Sequence, residues 1–261
     1  MEFPKEICKV IGNRNYTINT IGKSGSDVLC FDDMVLKIET CSKESECEHQ
    51  MMAWLFGRLS VPEVICSAQQ DGKQYLLMSK AEGEMACEEK FIRDPEKLTG
   101  ILADGLRKLW QVKAAGCPVQ AGLDQKLRLA EFRVANGLCD LEDVEPETYG
   151  EGGFSSPAEL LAWLKENRPQ EDLVFSHGDF CLPNIFIKDG TVSGFIDLGR
   201  SGIADRYQDI ALCWRSLRDN LTGRYCKTAS YEFRPECLFE QLDIAWDREK
   251  MRYYLLLDEL F

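Results

Sequence analysis

The fold of this chain is decided by residues 174–200, V-F-S-H-G-D-F-C-L-P-N-I-F-I-K-D-G-T-V-S-G-F-I-D-L-G-R. The second half of this stretch contains two short apolar runs, residues 185–187 and 192–196, joined by Asp189-Gly190. Asp-Gly between two apolar runs is the strongest short-range signal for a β-hairpin. The sequence therefore predicts that the chain turns back on itself at this point.

Three oxygen-bearing side chains lie around the predicted hairpin. They are Asp179, Asn184 five residues later, and Asp197 thirteen residues after that. Because a hairpin returns its exit to its entrance, we expect Asp197 close to Asn184, with Asp179 just upstream on the same loop. Two carboxylates and a carboxamide around one point form a hard oxygen cage, the kind that Mg²⁺ prefers.

The spacing of these side chains matches a known chemistry. Protein kinases use H-R-D-x-x-x-x-N for the catalytic Asp and a Mg²⁺-binding Asn, and then the Asp of D-F-G for Mg²⁺. Here H-G-D-x-x-x-x-N occupies residues 177–184, and D-L-G occupies residues 197–199. An ordinary Asx-rich turn with a capping Asp explains the first pair alone, but not the whole arrangement. The pattern therefore predicts a phosphoryl-transfer site.

Composition restricts the class of protein. The chain has 261 residues, a formal net charge of −13, twelve cysteines and two histidines. The acidic surplus disfavours nucleic acid as a partner and would attract a cation, although solubility alone also explains it. The cysteines form no Cys-x-x-Cys pair, which argues against zinc and against a disulfide framework. Free thiols, the lack of a signal peptide and the lack of a long apolar run favour a cytoplasmic protein that binds no membrane.

A polar loop lies near the N-terminus. Strands are predicted over residues 16–38, and G-K-S-G-S-D at 22–27 separates the first two. Backbone N–H groups of such a loop can bind phosphates. The loop is not a Walker motif, because that motif requires Gly at position 17, which is Thr, and a following helix. A phosphate-covering hairpin and a plain hairpin turn both fit these residues.

Lys37 ends a strand with V-L-K, like the ATP-pairing lysine on the third strand of protein kinases. A buried lysine needs an acidic partner, and kinases supply a helical Glu for it. The next predicted helix, over residues 42–56, offers Glu48 as the favoured partner and Glu46 as the second choice. If Lys37 is considered alone, an exposed strand lysine is the alternative.

The pattern changes from strands to helices after a second Asp-Gly hairpin, which joins predicted strands at 64–68 and 74–79. The connecting residues 79–84 correspond to the hinge at which kinases hold adenine through backbone groups, and we place the domain boundary near residue 82. Helices are predicted over 95–112, 123–138, 157–167, 205–217 and 247–260. Six acidic residues lie within 140–151. They indicate either a solvated surface or a cation-binding flap.

The chain resembles the aminoglycoside 3'-phosphotransferases, the kanamycin and neomycin kinases. The resemblance rests on F-S-H-G-D at 175–179, L-P-N at 182–184, V-S-G-F-I-D-L-G-R-S-G-I-A-D-R-Y-Q-D-I-A at 192–211 and Y-Y-L-L-L-D-E-L-F at 253–261. It extends more weakly through the N-terminal part and so covers nearly the whole chain.

The resemblance implies an α+β, bilobal, protein-kinase-like fold. Residues 1–82 would form a small N-terminal lobe, an antiparallel sheet with one helix that binds the nucleotide and ends at the hinge. Residues 83–261 would form a larger, mainly helical C-terminal lobe that carries the catalytic and aminoglycoside-binding groups.

The resemblance also implies ATP and Mg²⁺ as cofactors and gives each site residue a role. Asp179 would receive or orient the proton of the attacking hydroxyl, and Asn184 and Asp197 would hold Mg²⁺. The nucleotide would be bound by Lys37 with Glu48, by Gly22 and Ser24 in the covering loop, and by backbone groups of Ser79 and Ala81. The cationic aminoglycoside would be bound by Arg200, Asp219, Asp258, Glu259 and the carboxylate of Phe261, with acids of the 140–151 loop closing over it.

Three features depart from some relatives. Val35 stands where an aromatic residue stacks on adenine, the segment between Lys37 and Glu48 is shorter, and Leu182 replaces a further substrate carboxylate. These departures bear on nucleotide affinity and on the range of aminoglycosides, not on the chemistry.

Three hypotheses follow for the function. The expected one is ATP-dependent phosphorylation of an aminoglycoside 3'-hydroxyl by a monomer or weak dimer. A kinase for choline, homoserine or a related metabolite would keep the same catalytic residues but would not need an acidic loop and tail. An inactive nucleotide-binding scaffold is disfavoured, because such scaffolds usually lose one of the four residues Lys37, Asp179, Asn184 and Asp197.

Overall fold

The computed structural model describes residues 3–19, 26–141, 144–225 and 231–261 of an α+β chain. The strands are β1 (Thr17–Asn19), β2 (Asp27–Cys30), β3 (Met34–Thr40), β4 (Val64–Gln70), β5 (Lys73–Ser79), β6 (Glu84–Met85), β7 (Leu173–Ser176), β8 (Ile185–Lys188), β9 (Thr191–Phe195) and β10 (Gly202–Asp205). The helices are α1 (Lys5–Ile11), α2 (Lys43–Leu55), α3 (Glu89–Ile92), α4 (Pro95–Trp110), α5 (Leu123–Ala135), α6 (Pro157–Glu166), α7 (Arg206–Leu221), α8 (Cys237–Leu242) and α9 (Arg248–Asp258).

The N-terminal lobe is built on an antiparallel sheet with the strand order β1-β2-β3-β5-β4. Successive side chains of a strand point to opposite faces, and β3 follows this rule. Leu36 and Ile38 are buried with Ile7 of α1 in a small core on one face. Lys37, between them, lies on the other face and lines a cavity between the two lobes.

Helix α2 crosses that second face. Ser42 caps it, because the Ser42 hydroxyl accepts a hydrogen bond from Ser45 N–H and the Ser45 hydroxyl accepts one from Ser42 N–H. This reciprocal capping box fixes where the helix begins. The buried side chains of Met51 and Leu55 then hold α2 in the main core of the molecule.

Helix α4 is central to the C-terminal lobe, where it contacts α7, α8, β7 and β9. Asp94 caps its N-terminus and Pro95 occupies the first turn. At Gly105 a Cβ atom would come within 3.0 Å of Val192 and 3.2 Å of Phe180. The lack of a side chain at this position therefore lets α4 approach the catalytic loop closely.

The predicted fold class is confirmed, while some boundaries differ. Helix α5 ends at Ala135 rather than near residue 138, because Gly137 adopts a positive φ of 64°. Helix α7 continues past residue 217 to Leu221 and stops before Gly223, whose φ is 85°. The domain boundary near residue 82 stays a prediction. Among the described residues, no helix has the length and apolar character needed to cross a membrane.

Candidate active site

The hairpin of the catalytic segment forms at the predicted place. Strands β8 and β9 pair antiparallel, and Asp189 and Gly190 between them have φ values of 51° and 75°. Positive φ at both central residues is the signature of a type I′ turn. Ile196 N–H donates to the Asn184 carbonyl over 3.1 Å, so the hairpin exit lies beside its entrance. Asn184 and Asp197 thereby line the same cavity.

Both carboxylate oxygens of Asp179 are held by neighbouring side chains. The Asn184 amide donates to Oδ2 over 3.0 Å and also to the Asp179 carbonyl over 3.0 Å. The Cys181 thiol donates to Oδ1 over 3.0 Å. These contacts fix the Asp179 carboxylate in one orientation at the floor of the cavity.

Buried groups support the loop from behind. Asp179 N–H donates to His177 Nδ1 over 3.3 Å, so Nε2 carries the proton and donates to the Ile196 carbonyl over 3.0 Å. The buried Asp209 carboxylate accepts hydrogen bonds from the backbone N–H groups of His177 and Gly178. Burial raises the pKa of Asp209, although these hydrogen bonds oppose the shift. The loop is therefore anchored to helix α7.

Gly178 brings the catalytic loop against the D-L-G segment. Its φ is 82°, and a Cβ atom there would lie 2.0 Å from the Arg200 carbonyl oxygen. A side chain at this position is incompatible with the approach of the two backbones.

Lys37 lies in a cluster of carboxylates. Its Nζ lies 2.7 Å from Glu48 Oε2, 3.1 Å from Asp197 Oδ1 and 3.6 Å from Glu39 Oε1. Burial alone would lower the pKa of Lys37, but the charges of Glu48 and Asp197 outweigh it and raise that pKa. Burial also raises the pKa of Glu48, against the opposing charge of Lys37. Lys37 therefore stays charged at every physiological pH.

The donor set fits Mg²⁺. Asp197 and Asn184 contribute hard oxygen atoms to one cavity, and Asp197 adopts a positive φ of 59° there. In the described part of the chain, no three His, Cys, Asp or Glu side chains form a metal site of their own. Mg²⁺ usually takes one or two protein ligands and completes its shell with phosphates and water. A pair of protein oxygen ligands in an open cavity therefore matches this ion.

The cavity between the lobes has a volume of about 920 Å³. We call one part of its wall and the residues behind it the nucleotide side: Lys37, Glu48, Asn184 and Asp197. We call the other part and the residues behind it the acidic side: Arg200, Arg215, Asp219, Asp258 and Glu259. Asp179 lies between the two sides and lines the cavity with members of both.

The carboxylates of the acidic side are paired with arginines. Arg215 forms ion pairs with Asp258 and, over 3.3 Å, with Glu259, and Arg200 lies 3.8 Å from Asp258. Burial would raise the pKa of Asp258, but Arg215 and Arg200 outweigh it and lower that pKa. Burial raises the pKa of Glu259 to about 7, because its arginine contact is weaker.

Asp219 has two arginine partners of its own. Arg218 Nε donates to its Oδ1 over 2.8 Å, and Arg224 Nη1 donates to its Oδ2 over 3.2 Å. Both arginines also contact Glu145, whose backbone N–H donates to Glu259 over 3.0 Å. The segment that carries Glu145 is therefore fastened to the acidic side.

Cations surround the ring of Phe261 at the end of the acidic side. Lys126 Nζ lies 5.5 Å from the ring centroid, Arg133 Cζ 5.7 Å and Arg200 Cζ 5.8 Å. Arg133 also donates to the carbonyls of Leu260 and Phe261 over 2.8 and 2.6 Å. The residues after α9 are therefore held in a fixed position beside the site.

Comparison with known proteins identifies the family. A sequence profile of the phosphotransferase enzyme family matches residues 11–253. The aminoglycoside 3'-phosphotransferase of Enterococcus faecalis is 44% identical over 218 residues, which cover 83% of this chain and 78% of that protein. The enzyme of the same name from Niallia circulans is 37% identical over 99% of this chain and 97% of that protein. The chain belongs to the aminoglycoside 3'-phosphotransferase family.

A solved structure of a related aminoglycoside phosphotransferase has the same fold. APH(3'')-Id from Streptomyces rimosus, in complex with ADP and streptomycin, superposes with a TM-score of 0.78 at 28% identity. The match covers 97% of this chain and 95% of that one. The kinase-like architecture and the assignment as a phosphotransferase are thereby confirmed for this member of the aminoglycoside 3'-phosphotransferase family.

The predicted site residues fall into four groups. Lys37, Glu48, Asp179, Asn184, Asp197, Arg200 and Asp219 line the cavity. Asp258, Glu259 and Phe261 lie behind its acidic side and contact Arg200, Arg215 or both. Ser79 ends β5, where its N–H donates to the backbone carbonyl of Glu63. Ala81 packs near Gly194. Gly22 and Ser24 lie outside the described residues.

Sequence reasoning missed several groups in this aminoglycoside 3'-phosphotransferase family member. Cys181 donates to the Asp179 carboxylate, and nothing in its sequence position indicates a thiol donor. Arg215 precedes Asp219 by four residues, so both lie on one face of α7, and this spacing was a usable signal. The pairing of Glu145 with Arg218 had no such signal, because 73 residues separate them.

Proposed function

We propose that this protein transfers the γ-phosphoryl group of ATP to the 3'-hydroxyl of an aminoglycoside. The single observation that carries the proposal is the position of Asp179, which lines one cavity together with Lys37, Asn184 and Asp197 of the nucleotide side and Asp219 of the acidic side. The relatives named aminoglycoside 3'-phosphotransferase support the choice of hydroxyl.

Asp179 would act on the attacking hydroxyl. Phosphoryl transfer depends mainly on positioning and charge neutralisation, so a fixed carboxylate that accepts or orients one proton is sufficient. Hydrogen bonds from Asn184 and Cys181 hold the two carboxylate oxygens in place. An incoming hydroxyl would therefore meet a base whose orientation is already set.

The nucleotide side would bind ATP. Lys37, kept charged by Glu48, is suited to the α- and β-phosphates. Asn184 and Asp197 would hold Mg²⁺, which neutralises charge on the phosphates when it is bound. Ser79 and Ala81 would contact adenine through backbone groups, and Gly22 and Ser24 would cover the phosphates.

The acidic side would bind the amino groups of the aminoglycoside. Asp219, Asp258, Glu259 and Phe261 would supply negative charge and a ring face, while Arg200 would hold Asp258 in place. Each exposed ion pair contributes only about 0–1 kcal/mol, so several partly shielded carboxylates must act together. We also propose a cytoplasmic protein that is a monomer or a weak dimer, to be tested by size-exclusion chromatography with light scattering.

The test is Mg²⁺-dependent ADP release with four acceptors: kanamycin, tobramycin, streptomycin and choline. Tobramycin is the matched control, because it lacks the 3'-hydroxyl. We expect turnover with kanamycin and none with tobramycin. Turnover with both would assign the reaction to another hydroxyl, and turnover with streptomycin alone would move it to the acceptor bound by the Streptomyces rimosus enzyme. Turnover with choline alone would establish a metabolite kinase.

A further inference from the structure

We propose that Arg224 competes with the amino groups of the substrate for the carboxylate of Asp219 and thereby limits the affinity of the acidic side for cations. The proposal rests on the proposed function. It concerns four residues that we call the guanidinium clasp: Glu145, Arg218, Asp219 and Arg224.

The clasp consists of two guanidinium groups between two carboxylates. Arg218 and Arg224 each bind a different oxygen of Asp219, over 2.8 and 3.2 Å, and both reach the same oxygen of Glu145. Asp219 lines the cavity, and its side chain is only 5% exposed. A carboxylate this deep needs a cationic partner. Any amino group that binds Asp219 must therefore share it with an arginine or replace one.

The two arginines are held unequally. Arg218 lies within α7 and packs its guanidinium group over the Trp214 ring, 5.5 Å from the centroid. Arg224 lies beyond the end of α7, past the positive-φ residue Gly223, where its backbone N–H donates to the Asp219 carbonyl over 2.9 Å and its guanidinium group lies 6.0 Å from the centroid of the Tyr225 ring. Its contacts with the carboxylates of Asp219 and Glu145 are longer than those of Arg218, at 3.2 and 3.4 Å. Because Arg224 sits on irregular backbone and is 34% exposed, it is the partner that an incoming ammonium group displaces.

When an ammonium group of the substrate displaces Arg224, each carboxylate of the clasp keeps a cationic partner. An ammonium group on Asp219 replaces one cation with another, so no carboxylate is left buried without a partner. The substrate nevertheless has to separate Arg224 from Asp219 before it gains its own contact. Removing the Arg224 charge eliminates this competition and should therefore tighten the binding of a polycation.

A structural role for Arg224 predicts the opposite result. If Arg224 serves to fasten the segment of Glu145 over the bound substrate, its loss loosens that segment and weakens binding. The direction of the change in KM for kanamycin therefore distinguishes the two roles: competition predicts a decrease and fastening predicts an increase. The substitution Arg224→Lys keeps the positive charge and serves as a further comparison.

The experiment compares Arg224→Gln with Arg234→Gln. Arg234 makes an exposed ion pair with Glu240 elsewhere in the same lobe, so its loss gives the same change in net charge without touching the clasp. KM for kanamycin and for ATP, and kcat, are measured at about 20 mM and about 300 mM salt. For Arg224→Gln we expect KM for kanamycin to fall about three- to tenfold at low salt, less at high salt, with kcat and KM for ATP unchanged.

Arg224→Lys keeps the charge, and its KM for kanamycin should stay within about twofold of the native value. The KM of Arg234→Gln for kanamycin should also be close to the native value. An unchanged or increased KM for kanamycin in Arg224→Gln overturns the clasp proposal while leaving the proposed function intact. A native protein that phosphorylates no aminoglycoside overturns both, so the two failures are distinguishable.

Discussion

The nucleotide side and the acidic side of the cavity are both built from ion pairs, but they differ in which partner is the more exposed. On the nucleotide side, the Lys37 side chain is 12% exposed, between Glu48 at 3% and Asp197 at 40%. On the acidic side, Arg218 is 26% exposed and Asp219 is 5% exposed. The most exposed charge of these pairs is therefore a carboxylate on the nucleotide side and a guanidinium group on the acidic side.

An anionic nucleotide would meet the Lys37 ammonium group beside the more exposed Asp197 carboxylate, whose charge the proposed Mg²⁺ would offset, while Glu48 supports Lys37 from behind. A cationic substrate meets guanidinium groups first and has to reach the carboxylates beneath them. Ion pairing stabilises the buried charges on both sides of the cavity. The relative exposure of the two partners determines whether a ligand joins an ion pair or replaces one of its members.

Replacing Asp179 should have the largest effect, because Asp179 serves both sides. For Asp179→Asn we expect kcat with kanamycin to fall by about 10²–10⁴-fold, since the substitution removes the proton acceptor but keeps the shape. ATP binding, measured by calorimetry, should stay near the native value. Asp189→Asn, in the hairpin turn where Asn tolerates a positive φ, is the control and should be close to native. Native turnover in Asp179→Asn would remove this residue from its role.

Breaking the pair on the nucleotide side should have the next largest effect, on stability as well as on activity. Lys37→Met leaves Glu48 buried without its cation, and we expect the free energy of unfolding in urea to fall by about 3–5 kcal/mol. The double variant Lys37→Met with Glu48→Gln should recover part of this stability but none of the activity.

The control for this prediction is Lys188→Met, which removes a lysine from an exposed ion pair with Glu82. It should leave the free energy of unfolding close to that of the native protein, because the pair is fully solvated. A double variant that is no more stable than Lys37→Met would show that the buried Glu48 charge is not the cause of the loss.

Substitutions of Cys181 measure how much its hydrogen bond to the Asp179 carboxylate contributes to turnover. Cys181→Ala removes the donor to Asp179 Oδ1, and we expect kcat to fall about three- to tenfold with little change in either KM. Cys181→Ser supplies a hydroxyl donor and should restore most of kcat. Cys87→Ala, at another thiol of the same cavity, should leave kcat unchanged. Equal kcat values for the Ala and Ser variants of Cys181 would exclude the hydrogen bond as the reason.

The smallest expected effect is a pH dependence from the acidic side. Burial raises the pKa of Glu259 from an ordinary 4.5 to about 7, so the native state holds this proton more tightly than the unfolded state. The contribution of Glu259 to stability is therefore fully present below about pH 4.5 and is lost as the pH rises through about 7. The free energy of unfolding should fall across this range in the native protein and less in Glu259→Gln. Identical slopes for the two proteins would contradict the raised pKa.

The sequence was informative wherever the deciding contacts are local. The hairpin follows from Asp189-Gly190, and the strand–helix succession places Glu48 beside Lys37, eleven residues apart. The fold class followed from these motifs together with the family resemblance.

The pairing on the acidic side could not be predicted in the same way. Arg215 and Asp258 are 43 residues apart, and Arg218 and Glu145 are 73 residues apart. No periodicity or turn signal relates such residues, because their contact depends on how α7, α9 and the acidic loop pack. The acids are therefore predicted as ligands of the substrate, whereas Arg215, Arg218 and Arg224 are not predicted. Arg200 is predicted as a further ligand of the substrate and not as a partner of Asp258. The first residues of the chain carry no comparable signal, and α1 forms there because Ile7 and Ile11 are buried in the small core.

The main hydrophobic core does not stop at the hinge. Met51 and Leu55 of α2 and Leu76 and Met78 of β5 belong to the same buried cluster as the side chains of the C-terminal lobe. A chimaera that joins the first 82 residues of one relative to the remainder of another would therefore combine two halves of a core that were not selected together. We expect such recombinants to survive only where these four contact positions are inherited as a block with their partners across the junction.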